Sequence, residues 1–258
     1  MKQIKLFFNS LYSLYVIVLF FVFIPLVLVY YILVAGFPRN RRMRLIFKCH
    51  KVWLHTWAFL SGIKLNTVGH DKIDPDQTYV FLLNHRNMFD MILAGSCIQH
   101  AFQPLVKKEL FKIPGLGWLF AMASVPVNRS SPESRKQSFD LMMQRIQEKT
   151  SILIFPEGTR NRTPAPLKAF YDGGFRLAIM NEIPVVPVVL IDLAQLQPVD
   201  TFRVYPGTVS LHFLDPISTE GMTEEDVEPL KKRVYDIMER FILENDKFFR
   251  EEMLTGKE

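Results

Sequence analysis

A histidine and an aspartate stand five positions apart in the block from Asn84 to Asp90, which directly follows an apolar run. On a regular helix, positions at this spacing lie about 140° apart, so His85 and Asp90 would not share a face. If a strand ends just before the block and a helix begins within it, the carboxylate can reach the imidazole. It would hold the proton on one ring nitrogen, and the other nitrogen would accept a proton from a hydroxyl group. The block predicts a His-Asp general base; a loop histidine beside a helix-capping acid is the alternative.

A second polar block, Phe155 to Arg160, also follows directly on an apolar run. Pro156 ends the strand, Gly158 lets the backbone turn and approach a ligand closely, and Arg160 offers a planar guanidinium suited to phosphate. Glu157 can brace that arginine or accept a hydrogen bond from a substrate hydroxyl. A surface turn with a salt bridge is the alternative for this block alone, but its occurrence beside the first block favours chemistry at both.

The elements that must position these blocks are visible as short apolar runs, which alternate with longer amphipathic stretches after Gly62. The predicted strands are Tyr79 to Leu83, Gln103 to Val106, Val125 to Val127, Ser151 to Phe155, Val185 to Ile191 and Thr208 to Phe213. Ser131 before Pro132 marks the start of one helix, and Thr223 precedes another. We therefore predict an α/β fold, a mixed sheet flanked by helices, as one domain over 62–258.

The N-terminal part of the chain predicts a membrane anchor. No charged side chain occurs from Leu6 to Pro38, which is longer than the roughly 20 apolar residues that a membrane span needs. A cleaved signal peptide is the alternative, although its apolar core is only about 7 to 15 residues long. Because Pro25 and Gly36 allow bends, one tilted span and two short helices that enter and return both stay open.

Basic residues after the apolar run predict its orientation and its partner. They are Arg39, Arg41, Arg42, Arg44, Lys48 and Lys51. The positive-inside rule then places the large C-terminal part on the cytoplasmic side of the cytoplasmic membrane. We expect residues 1–61 to form the membrane-anchoring helical segment. Residues 44–61 predict an amphipathic helix at the membrane interface, and a helix that packs against the protein core is the alternative.

Composition narrows the class of protein further. A hydrophobic content of 49% and a charged content of 22% exclude a disordered chain. The net charge of +5 is concentrated in the juxtamembrane cluster rather than interleaved with base-stacking aromatic residues, so anionic lipids are favoured over nucleic acid as partners. Cys49 and Cys97 form no CxxC pair, and the sequence indicates neither a disulfide framework nor a zinc site.

Four blocks in order resemble those of the glycerolipid acyltransferases of the 1-acylglycerol-3-phosphate acyltransferase (PlsC-like) type. The matching blocks are Asn84 to Asp90, Val127 to Arg129, Phe155 to Arg160 and Ile183 to Val188. The resemblance covers about 60–215. Two features depart from the pattern. Asn128 stands where many relatives have Asp, and the stretch Phe170 to Phe175 stands where relatives usually have Lys and Gly. Lys168 and Gly173 or Gly174 are candidates for the roles of those residues.

The resemblance implies a role for each matching residue. His85 would be the general base and Asp90 its orienting partner. Arg129 and Arg160 would bind the phosphate of the acyl acceptor, while Glu157, Gly158 and Thr159 would shape that pocket. Pro187, with Val188, would line the acyl side. Lys107 or Lys108 is a further candidate for phosphate binding, with a solvated charge pair as the alternative.

The expected function is a membrane-associated acyl transfer from acyl-CoA or acyl carrier protein to the sn-2 hydroxyl of lysophosphatidic acid, which gives phosphatidic acid. Because a thioester is already activated and no Ser or Cys stands beside His85, we expect direct attack by the alcohol, without a metal or cofactor. The alternatives are an acyltransferase for another lyso-lipid, a non-catalytic lipid-binding protein and a thioesterase-like hydrolase.

Overall fold

The computed structural model describes residues 2–87, 89–98, 101–128, 131–198 and 201–250. The helices are α1 Lys2–Val34, α2 Arg39–Leu60, α3 Asp90–Cys97, α4 Leu116–Ala123, α5 Pro132–Gln147, α6 Gly173–Met180, α7 Leu193–Leu196 and α8 Val227–Asn245. The strands are β1 Ile63–Val68, β2 Val80–Leu83, β3 Phe102–Lys107, β4 Val125–Val127, β5 Ser151–Ile154, β6 Val185–Ile191 and β7 Gly207–Phe213.

The seven strands form one sheet in the order β1-β7-β6-β2-β5-β3-β4. The strands β6, β2, β5, β3 and β4 run parallel, whereas β7 is antiparallel to β6 and carries β1 parallel to itself. The predicted mixed α/β sheet is therefore confirmed. Because β2 and β5 are parallel neighbours with Leu82 opposite Ile154, the blocks that follow them leave the sheet side by side.

The two faces of the sheet carry separate apolar cores. Along β2, Phe81 and Leu83 pack with α1 to α4, while Val80 and Leu82 pack with α5, α6 and α8. The alternation follows from the period of two in a strand. All four β2 residues are buried, which explains why this strand reads as a continuous apolar run.

All six predicted strands are present, with ends that shift by at most one residue. Helices begin at Pro132 and, after a 3₁₀ turn at Glu224–Asp226, at Val227. The sequence analysis missed β1. Its side chains are mostly exposed, so Ile63–Val68 lacks an apolar run, and its pairing with β7 joins segments that are distant in sequence.

The N-terminal segment is a helical hairpin rather than a helix standing apart from the sheet. Helix α1 continues through Pro25, and a turn at 35–38 leads into α2, which packs back along it. One stripe of α1 is buried at helical spacing. Its members are Ser13, Val16, Ile24, Val27, Tyr31 and Val34. Trp57 of α2 closes this core and donates its indole N–H to Val16 O at 3.0 Å.

The hairpin and the sheet share one core. Asn9 Nδ2 donates to Val204 O at 2.9 Å near one end of α1, and toward the other end Leu28 lies beside Gly115, which precedes α4. These two contacts are about 28 Å apart along the helix axis. Helix α1 therefore lies along the α/β domain. The division of the chain at residue 61 stays a prediction.

Within the described residues, α1 is the one helix that is long and apolar enough to cross a membrane, by length and composition, over Ile4–Val34. Its outward face is apolar as well. The exposed residues include Leu14, Val18, Phe21, Val22, Leu26, Val29, Ile32 and Leu33.

Candidate active site

The predicted catalytic pair is assembled at the carboxyl end of β2. His85 Nδ1 lies 2.6 Å from Asp90 Oδ2, and Asp90 is the first residue of α3. The same oxygen accepts the backbone N–H groups of Arg86 at 2.7 Å and Asn87 at 2.9 Å. Because the two backbone N–H groups donate to Oδ2, this oxygen acts as an acceptor, and its contact with the imidazole fixes the ring proton on Nδ1. The Nε2 atom is then the nitrogen that can accept a proton.

The second block and Asn161, which follows it, hold His85 through three contacts. The Phe155 ring stacks on the imidazole, with the ring centroids 4.1 Å apart. Glu157 Oε1 accepts the backbone N–H of His85 at 2.7 Å, and the N–H of Asn161 donates to His85 O at 2.6 Å. These contacts fix the position of the imidazole relative to the Phe155–Arg160 block.

Glu157 joins the two blocks from inside the protein. Its Oε2 accepts the backbone N–H of Lys168 at 3.0 Å, so each carboxylate oxygen faces a main-chain donor, and the residue is 1% exposed. Burial raises the pKa of Glu157 to about 7, although the hydrogen bonds from His85 and Lys168 favour the charged form. The described contacts thus make Glu157 a bridge between blocks; its direct contact with substrate stays a prediction.

Gly158 makes the turn that the sequence analysis expected. Its φ is +72°, and its N–H donates to Phe155 O at 3.0 Å, which closes a tight turn after β5. A side chain at this position would be strained in the left-handed region. The turn leads to Thr159, whose Oγ1 accepts from Lys168 Nζ at 2.8 Å.

These residues surround a cavity of about 460 Å³ that opens beside His85. The lining residues are His85, Lys107, Gly158, Thr159, Arg160, Arg162, Thr163 and Lys168. Four of them are cationic, and among these described lining residues there is no carboxylate. An imidazole base next to such a cationic surface suits a ligand that carries both a hydroxyl group and a phosphate.

The cavity contains most of the predicted site residues but not all. Lys107, at the end of β3, contributes to it as expected. Pro187 does not line it: this residue is buried in β6 opposite Leu82, just before the ladder with β7 begins, and its carbonyl accepts from Leu214 N at 3.0 Å. Arg129 lies outside the described residues. The roles proposed for Pro187 and Arg129 stay predictions.

Three contributors were not assigned from the sequence. Arg162 lines the cavity two residues beyond the recognised block, and Asn161 is fully buried beneath it. The positive charge of Arg162 was the feature of the sequence that could have identified it as a phosphate-binding candidate. Asn161 Oδ1 accepts from the backbone N–H of Thr163 at 2.9 Å, an Asx-type turn that the sequence Asn-Arg-Thr allows.

Arg86 is the third, and it holds the loop after the second block in place. Its guanidinium donates to Ala165 O at 3.0 Å and to Thr163 O at 3.3 Å. It also lies 4.8 Å from the ring centroid of Phe249, just beyond α8. Arg86 therefore connects the catalytic block, the cavity wall and the C-terminal segment.

Comparisons with known proteins find similar acyltransferases. The 1-acyl-sn-glycerol-3-phosphate acyltransferase of Saccharomyces cerevisiae is 26% identical over 191 residues, which cover 73% of this chain and 63% of the relative. The human 1-acyl-sn-glycerol-3-phosphate acyltransferase alpha is 29% identical over 184 residues, covering 68% of this chain and 62% of the relative. The chain thus spans somewhat under two thirds of the length of these relatives.

A solved structure shares the fold over nearly the whole chain. The crystal structure of the 1-acyl-sn-glycerophosphate (LPA) acyltransferase PlsC from Thermotoga maritima superposes with a TM-score of 0.78 at 24% identity, covering 95% of this chain and 97% of that one. The acyltransferase family model matches residues 64–191, a range that contains His85, Asp90 and the Phe155–Arg160 block. Over residues 64–191, just under half of its length, the chain is therefore similar to the acyltransferase family.

Proposed function

We propose that the protein transfers an acyl group from a thioester to the sn-2 hydroxyl of 1-acyl-sn-glycerol 3-phosphate, giving phosphatidic acid. The observation that carries the proposal is the His85–Asp90 contact at 2.6 Å on the wall of a cavity with four cationic side chains. The names of the similar proteins, which specify this acceptor, support it.

In the proposed reaction, His85 Nε2 takes the proton of the acceptor hydroxyl as its oxygen attacks the thioester carbonyl. The carbon–sulfur bond then breaks, and the thiolate leaves with the proton carried by His85. Asp90 stabilises the imidazolium that forms between these two steps. Direct attack requires no acyl-enzyme, so positioning and base catalysis supply the acceleration, the latter about 10² to 10⁴-fold.

The cationic wall would bind the phosphate of the acceptor. Arg160 lies one residue beyond Thr159 in a turn fixed by Gly158, and Lys107 approaches from the neighbouring β3. Two or more cations around the phosphate dianion would orient the acceptor by its charged end. Acyl-CoA or acyl carrier protein is the proposed donor, and no metal or cofactor takes part in this scheme.

The proposal includes attachment to the cytoplasmic membrane through the α1–α2 hairpin, with the α/β domain on the cytoplasmic side. The exposed apolar face of α1 and the basic residues from Arg41 to Lys51 on α2 support it. Acceptor and product are bilayer lipids, so an enzyme held at the membrane meets them by lateral diffusion.

The test is a transfer assay with labelled acyl-CoA against a panel of lyso-lipids, using the purified chain in detergent–lipid micelles. We expect transfer to lysophosphatidic acid, and a loss of about 10²-fold or more in His85→Ala. His55→Ala, which removes an exposed histidine of α2, is the matched control and should retain activity. Equal activity of His85→Ala and the parent would refute the base assignment.

The acceptor panel separates the remaining candidates. Preference for a lyso-lipid without a phosphate monoester would replace the acceptor proposed here. Release of free fatty acid at a rate independent of any acceptor would indicate a thioesterase instead.

A further inference from the structure

An exposed apolar and basic segment leads from the cavity into the first turn of α4. It covers 107–118, which begins with Lys107 on the cavity wall and contains a 3₁₀ helix at Lys108–Lys112. Three large apolar side chains on it face solvent: Leu110 at 39%, Ile113 at 39% and Trp118 at 45% exposure. Together they form an exposed apolar patch, and a patch of this kind next to basic residues is typical of an interaction surface.

The backbone of this segment forms a tight turn before α4. Gly117 N donates to Ile113 O at 2.7 Å, and a Cβ on Gly117 would lie only 2.0 Å from the carbonyl oxygen of Phe111. Gly115 has φ +75°. The chain is thus closely packed at Gly117, directly before the exposed Trp118.

The segment adjoins the apolar helix α1. A Cβ on Gly115 would lie 3.7 Å from Leu28 Cδ1 of α1, and Leu119 of α4 belongs to the same core as Val27 and Tyr31. The outward neighbours of Leu28 on α1, Leu26 and Val29, are 64% and 55% exposed. The apolar surface of α1 therefore continues onto the α/β domain.

The charges of the segment match an anionic lipid surface. Within 107–118 there are three lysines and one glutamate, and all four are exposed. They are Lys107, Lys108, Lys112 and Glu109. An exposed tryptophan among lysines is typical of a chain that lies at a membrane interface, where the ring enters the acyl boundary and the ammonium groups stay with the phosphates. A second copy packed here about a twofold axis would bring two lysine-rich segments together, which costs energy.

We propose that 107–118 is a second membrane-contacting surface, located on the α/β domain itself. Leu110, Ile113 and Trp118 enter the lipid, and Lys108 and Lys112 bind headgroup phosphates. Because Lys107 lies on the cavity wall, this contact places the mouth of the cavity at the level of the headgroups. The identity of the lipid substrate rests on the proposed function, but the membrane contact does not.

The test uses a fluorescent label that reports its surroundings. Ile113→Cys and Trp118→Cys are made in a chain with Cys49→Ala and Cys97→Ala, labelled with NBD, and bound to phosphatidylcholine–phosphatidylglycerol vesicles containing spin-labelled lipid. We expect a blue shift and strong quenching at both positions, as at Val29→Cys on α1. Lys232→Cys on α8, an exposed position remote in the fold, is the control and should stay unquenched.

Labels at 113 and 118 that behave like the label at 232, while the label at 29 is quenched, would overturn the proposal. A blue shift that appears without vesicles and grows with protein concentration would also overturn it, since that result indicates contact between copies. Neither readout depends on catalysis, so failure of the proposed function is seen separately, as the absence of acyl transfer.

A second measurement keeps the native cysteines. Ile113→Glu with Trp118→Glu should raise the apparent KM for an acceptor presented in vesicles by about tenfold, with the rate on a short-chain, monomeric acceptor unchanged. Met180→Glu, which changes a 56% exposed side chain at the end of α6, is the matched control. Equal effects of the double variant on both acceptors would contradict membrane contact.

Discussion

At the scale of single residues, the site depends on two buried carboxylates that have different partners. Asp90 Oδ2 accepts from the imidazole and two backbone N–H groups, all within 2.9 Å. Glu157 also accepts from backbone, but it is enclosed between the two blocks and burial raises its pKa to about 7. Asp90 therefore contacts the base directly, whereas Glu157 holds the backbone around it and titrates near neutrality.

Asp90→Asn should lower kcat by about 10² to 10⁴-fold, because the amide cannot stabilise the imidazolium as a carboxylate does. Its carbonyl oxygen can still accept from Arg86 and Asn87, so the thermal midpoint should fall much less than the activity. Asp172→Asn, at a partly exposed carboxylate paired with Lys231, serves as the comparison. An Asp90→Asn enzyme with kcat near that of the parent would remove Asp90 from the mechanism.

Glu157 should make stability fall as pH rises. Its folded pKa of about 7 lies above the ordinary value of 4.5, so the folded state binds the extra proton between these limits. The associated free energy, on the order of 3 kcal/mol, is fully present below pH 4.5 and lost as pH passes 7.

Glu157→Gln should therefore lose less thermal stability than the parent between pH 5 and pH 8, measured as the change in Tm in one detergent. Glu224→Gln, which alters an exposed partner of Arg176, should keep the slope of the parent. The same slope in Glu157→Gln as in the parent would show that Glu157 does not titrate in this range.

At the scale of elements, the cavity wall depends on a loop without regular structure. Residues 161–168 carry Arg162, Thr163 and Lys168, and Arg86 binds two carbonyl groups of this loop. The imidazole is held separately, by Asp90 and Phe155. Loosening the loop should consequently affect acceptor binding more than proton transfer.

Arg86→Ala should raise the acceptor KM by about tenfold and change kcat by no more than about threefold. Arg176→Ala removes an exposed arginine that pairs with Glu224 and should change neither constant. Initial-rate kinetics over a range of acceptor concentrations give both values. A fall confined to kcat would mean that Arg86 acts through His85 instead.

The elements also show what the sequence could predict. The blocks at Asn84–Asp90 and Phe155–Arg160 were found because each follows a buried strand, and parallel neighbouring strands bring their ends together. The bridge made by Glu157 was not predicted. Glu157 accepts from the backbone N–H groups of His85 and Lys168, and the type of a residue does not indicate which contact its backbone N–H will make.

The hairpin illustrates the same limit on a larger element. Apolar composition predicted a membrane segment, but the buried stripe of α1 is a property of its contacts with Trp57 and the sheet. The residues on its inner and outer faces are equally apolar. A uniformly apolar sequence does not indicate which side of a helix will meet protein.

At the scale of the whole molecule, α1 is attached to the α/β domain near both ends, by Asn9 with Val204 and by Leu28 beside Gly115. These contacts span nearly the thickness of a hydrocarbon core of about 30 Å. A helix crossing the bilayer would draw the α/β domain into the hydrocarbon. We therefore expect the hairpin to enter the membrane and remain on one side.

Cysteine labelling checks this topology. With Cys49 and Cys97 replaced, Gly36→Cys in the hairpin turn and Lys232→Cys on α8 should react with an impermeant maleimide from the same side of sealed, oriented vesicles. Both positions are exposed. Labelling from opposite sides would establish that α1 crosses the membrane.

The Asn84–Asp90 block leaves the sheet from β2, the fourth of the seven described strands. This strand has hydrogen-bonded neighbours on both edges and side chains buried on both faces. Amide protons of such a strand exchange with deuterium only when the protein opens globally. Fraying of the sheet margins, at β1 or β4, would leave the histidine in place. Heat inactivation and cooperative unfolding should thus share one midpoint, with no earlier, partly melted state that has lost activity.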